Sequence, residues 1–159
     1  MNTYYELIKH IKTIFEEDVL VNTVTTEDNP AVIDNYKKNI YPLVHIAVTS
    51  APFLDKLNLA YSRFVVEINV LDVRDNNKEE VNDKFWKNDN RHDNLNTTYA
   101  ILKKARDRMV KDRLGTDITL VTSDAAIPNI YAFSNVLDGW TQNWTMDVPD
   151  ELTNVCESF

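Results

Sequence analysis

Few residues in this chain are of a type that does chemistry, and they are scattered. The histidines His10, His45 and His92 are the candidate proton carriers and metal ligands. His10 falls on the polar-to-boundary side of a helical pattern. His45 alternates with Val44 and Ile46 in a strand-like run, where sheet neighbours usually satisfy an imidazole. His92 stands with Asp89, Arg91 and Asp93 in a polar stretch. Those oxygen donors suit a hard cation, but the calcium-loop spacing and its closing bidentate carboxylate are missing, so the cluster reads as a solvated loop. Cys156 has no ordered base beside it, as a nucleophile requires, and none of Ser50, Ser62, Ser123, Ser134 or Ser158 sits in a nucleophile elbow. The carboxylate runs Glu16-Glu17-Asp18, Glu79-Glu80 and Asp147 to Glu151 fall at element ends and in connections, where they are solvated surface rather than an acid–base pair. Glycine occurs only as Gly115 and Gly139, so neither a phosphate-binding loop nor a dinucleotide fingerprint can be written. The expectation is a protein that is not an enzyme, with no cofactor and no metal.

The aromatics offer a different kind of site. Trp140 and Trp144 share one face of a strand with Met146 and Val148, which reads first as core packing and second as a surface covered by a neighbouring subunit. Phe85 and Trp86 lie in a polar stretch, where packing into the chain's own core is harder to arrange. These four, Phe85, Trp86, Trp140 and Trp144, are the candidate subunit-interface residues.

The elements that must position them follow from the hydrophobic periods. Tyr4, Leu7, Ile8, Ile11, Ile14 and Phe15 recur at helical spacing, with Thr3 and Glu6 as a capping box, and the helix should end near Glu17 or Asp18. Val19 to Thr26 and Tyr41 to Thr49 read as strands. From Ser62 to Val73, Phe64, Val66, Ile68 and Val70 line one face while Val65, Glu67, Asn69 and Leu71 line a half-polar one, predicting a sheet with one covered and one open side. Arg74 to Asp93 is polar throughout, with a short helix expected near Lys78 to Phe85. A second helix is predicted from about Leu95 to Lys111, capped by Asp93 or Asn94, with Leu95, Tyr99, Leu102, Ala105 and Met109 as its stripe. Asp117 to Thr122 is a short strand and Pro128 lies in a turn. Ile130 to Val136 and Trp140 to Val148 then flank Asp138-Gly139 as a hairpin. Runs of strands between two helices predict an α+β fold: an antiparallel or mixed β-sheet with two main helices packed on one face. Residues 1–149 form a single domain in this reading and 150–159 an acidic C-terminal tail.

The chain has 159 residues, enough for one domain with a substantial core. Its formal net charge of -8 repels nucleic acid phosphates, although a charged lumen that DNA slides past is compatible with that sign. A single cysteine rules out an intrachain disulfide and fits a reducing compartment. The N-terminus lacks the pattern of a signal peptide, and no apolar run is long enough for a membrane helix.

Taken in order, Asp34, Lys37, Tyr41-Pro42-Leu43-Val44-His45-Ile46, the strand ending Asn69-Val70-Leu71-Asp72-Val73, the second helix, Asp138-Gly139-Trp140, Trp144-Thr145-Met146-Asp147-Val148-Pro149 and the late Cys156 are similar to small neck and tail-completion proteins of tailed bacteriophages. Among these the chain most resembles tail-terminator-like or head–tail connector ring proteins of phages of gut Bacteroidetes, including crAss-like phages. The resemblance covers nearly the whole chain and rests on the order of elements and the terminal Gly-Trp strand rather than on one motif. It implies a tail-terminator-like subunit that forms a homo-oligomeric ring, six- or twelve-fold, around a DNA channel. Such a ring joins the portal vertex to the tail, contacts portal, connector or tail proteins, and lets DNA pass without specific binding. The implied location is the virion, after assembly in the host cytoplasm. The other reading of an acidic, chemistry-free chain is a small phage adaptor or inhibitor that binds a host protein.

Overall fold

Eight elements follow one another: α1 (Thr3–Glu16), β1 (Thr23–Thr25), β2 (Leu43–Ser50), β3 (Tyr61–Val73), α2 (Arg91–Val110), β4 (Thr119–Ser123), β5 (Ile127–Ala132) and β6 (Leu137–Pro149). They come from a computed structural model that describes residues 3–26, 41–53, 61–74, 90–111, 117–132 and 137–149. The fold is α+β, with a mixed six-stranded sheet in the order β1-β2-β3-β6-β4 and β5 also on β6. β1 runs parallel to β2, and the other pairings are antiparallel.

The period-two pattern read in β3 decides which side is covered. Val44 and Ile46 of β2, Val66, Ile68 and Val70 of β3, and Trp144, Met146 and Val148 of β6 share one face. They form a single core with Leu7, Ile11, Ile14 and Phe15 of α1 and Ile101, Leu102, Ala105 and Met109 of α2. The opposite face carries Glu67, Asn69, Thr141 and Asn143 between strands. Only at one end does it hold an apolar cluster, Tyr41, Leu43, Leu71 and Leu137. No helix among the described residues is long and apolar enough to cross a membrane.

Several expected boundaries move, each for a physical reason. The first strand shortens to Thr23–Thr25 because a turn follows α1, in which the Asp18 side chain accepts from the Leu20 amide at 3.0 Å and the Asp18 carbonyl from the Val21 amide. α2 begins at Arg91, not Leu95. Asn90 is its N-cap, and Asn90 and Asn94 both donate to the Val73 carbonyl, at 3.4 and 2.9 Å, tying the helix start to the end of β3. The buried stripe of α2 is accordingly Asn94, Thr98, Ile101, Leu102, Ala105 and Met109. Leu95 is only half-buried and Tyr99 is exposed. Thr98 tolerates burial because its hydroxyl donates to the Asn94 carbonyl at 2.6 Å. His10 is buried, contrary to its expected boundary position, since it lies three residues after Leu7 and four before Ile14 on the same helical stripe. The helix expected near Lys78 to Phe85 and the tail 150–159 lie outside the described residues.

The largest correction concerns Asp138-Gly139. These residues are not a hairpin turn but lie within β6, and Pro128 lies within β5 rather than in a turn. Gly139 pairs with Leu71, where a Cβ would collide with the Val70 carbonyl oxygen and approach Leu71 Cα to 2.9 Å. Glycine in a strand interior often marks such a close backbone approach. Gly139→Ala should therefore part β3 from β6 and cost about 3 kcal/mol, seen as a lower Tm in far-UV circular dichroism. An unchanged Tm would mean that the two backbones can separate freely at this point.

Candidate functional site

The chemistry-bearing residues do not converge. Among the described residues, no group of three or more His, Cys, Asp or Glu could hold a metal ion. His10 is on α1, and His45 is on the face of β2 away from the helices, opposite Asn69. His92 is in the first turn of α2, not a loop, with Nε2 3.2 Å from the Arg91 guanidinium, while Asp93 is exposed. Asp89 and Cys156 lie outside the described residues, as do Phe85 and Trp86.

Trp140 and Trp144, expected on one face, are on one face but have different surroundings. Trp144 is fully buried, stacked on Phe15 with ring centroids 5.9 Å apart, and its Nε1 donates to Gln142 Oε1 at 2.8 Å. It belongs to the core and offers no surface to a neighbour. Trp140 is half-buried. Its Nε1 donates to the Leu95 carbonyl at 2.8 Å, and Tyr99 packs edge-on against it at 5.4 Å.

Trp140 lines a cleft of about 450 Å³ between α2 and the bend joining β4 to β5, together with Tyr99, Leu102, Lys103, Arg106 and Ala125. Arg106 is braced there by its Nε bond to Ser123 Oγ at 2.8 Å. Gln142 fixes the bend by donating to the Asp124 carbonyl at 2.7 Å. A second cleft, of about 500 Å³, shares Tyr99 and Lys103 and continues past Lys104, Arg108 and Lys111. Lys103 donates to Asp107 at 2.7 Å, which raises the ammonium pKa and holds the Asp107 carboxyl below its ordinary value.

The β4–β5 edge is the feature that sequence reasoning missed. Both strands pair with β6, β4 with its second half and β5 with its first. Together they form one interrupted partner strand, and extra residues enter at Val121, at the 124–126 bend and around Ile130. Such bulges turn side chains outward and stop a foreign strand from extending the ladder. Here they present apolar groups: Val121, Ile127 and Ile130 are exposed by 46, 63 and 48%. The other side of the sheet carries its own exposed set, Val19 and Leu20 before β1 and Phe53 after β2. An apolar residue within a polar run was the available signal, but the sequence reading places Val121 and Ile130 in ordinary strands and Ile127 in the turn that holds Pro128.

The open face is polar and internally bonded. Asn129 donates to the Thr141 hydroxyl, Thr141 to Asn69 Oδ1, and Asn69 to Glu67 Oε1 at 2.9 Å, in a row across β5, β6 and β3. At the end of that sheet Arg74 and Asp138 form a fully buried bidentate pair, at 2.8 and 2.7 Å. Asp72 is directly opposite Asp138. Burial raises the Asp72 pKa and the Asp138 charge adds to the rise, against the lowering effect of the Val73 amide bond. With its folded pKa above the unfolded one, Asp72 binds its proton more tightly in the native state. Stability from this group therefore falls as pH rises from the ordinary carboxylate range through the folded value. Asp72→Asn, which can keep the Val73 bond, should raise Tm at pH 7, and that gain should vanish below the ordinary carboxylate range. Thermal melts at several pH values check this, and a pH-independent effect would contradict it.

No family model matches the chain, and no curated protein matches it.

Proposed function

We propose that the chain is a structural subunit of a phage neck or tail ring, a tail terminator or head–tail connector that joins the portal vertex to the tail around the DNA channel. One observation carries this reading furthest. Exposed apolar side chains lie on both sides of one sheet: Val121, Ile127 and Ile130 on the β4–β5 side, and on the β1–β2 side Val19 and Leu20 ahead of β1 and Phe53 past the opposite end of β2. Two different patches that meet head to tail form a heterologous contact, which closes into a ring when the rotation allows. The bulges on β4 and β5 favour contact through side chains over extension of the sheet.

The charge supports the same reading. A net charge of -8 keeps DNA phosphates from sticking to a channel wall. The open face, whose Asn and Thr groups are spent on one another, offers few donors to a phosphate backbone. The proposed partners are further copies of the chain, then portal, connector or tail proteins, in a virion assembled in the host cytoplasm.

Light scattering and electron microscopy of the purified chain test this reading, and closed rings of uniform size are expected. The double variant Val121→Lys/Ile127→Lys changes exposed positions only and should fold normally. It should weaken assembly at least about a hundredfold, because two ammonium groups would have to be desolvated in the contact. A chain that stays monomeric at every concentration, alone and with portal protein, would overturn the proposal.

A further inference from the structure

We draw no further inference here: the strongest candidate, the pair of adjoining clefts along α2 floored by Tyr99 and Trp140, already has Lys103, Lys104 and Arg108 paired with the chain's own Asp107, Asp18 and Glu17, and nothing in the structure shows what covers it.

Discussion

Thirteen consecutive cross-strand pairs join β3 to β6, from Tyr61 opposite Pro149 to Val73 opposite Leu137, and the rest of the molecule is placed by this ladder. Each end is fastened by a bidentate arginine–aspartate pair. Arg63 and Asp147, directly opposite each other, bond at 2.8 and 2.9 Å in a part-exposed setting. Arg74 and Asp138 do the same at the other end, with 1 and 0% of their side chains exposed. The two pairs are not equivalent. A part-exposed ion pair contributes little once solvent screens it. The buried pair is no large gain over an apolar replacement, but losing one partner would strand a charge and cost about 3–5 kcal/mol. Its consequence is register: a slip by one residue would break it and would turn Trp144 out of the core.

The helices depend on that register. α1 and α2 can bury their stripes only if Val66, Ile68, Trp144 and Met146 point the same way, and truncating a tryptophan buried as Trp144 is costs about 3–5 kcal/mol. Polar groups on the covered side are handled locally. Gln142 bridges Trp144 Nε1 and the Asp124 carbonyl, and Asn94 bonds the end of β3. These bonds fix where α2 starts and where β4 bends, which in turn sets the shape of the cleft between them.

The sequence made the regular parts of this plan visible. The alternation in β3 and β6 named the covered face residue by residue, and the helical spacing of Leu7, Ile11 and Ile14 placed α1. It misled where one residue does long-range work. Asp138-Gly139 looks like a turn from its neighbours. It is a strand because Arg74, 64 positions earlier, holds Asp138, and because the Val70 carbonyl leaves no room for a Cβ at 139. Asn94 looks like a cap until its bond to the Val73 carbonyl at the end of β3 is known, and His10 looks like a boundary residue although it lies on the buried Leu7–Ile14 stripe. The exposed edge was hidden for a related reason: bulges are set by pairing with β6, and Val121 and Ile130 show their exposure only once that pairing is drawn.

The proposed assembly role requires a rigid sheet whose edges stay available, and hydrogen exchange measures both at once. Followed as a function of protein concentration, the amides of β3 and β6 should be the slowest in the chain and should not respond to dilution, since the ladder is complete within one molecule. The amides of residues 119–132 should be protected where the protein assembles and should exchange faster as it is diluted to single subunits. Residues 119–132 exchanging equally at every concentration would contradict the account, because the edge would then be ordinary surface with no partner.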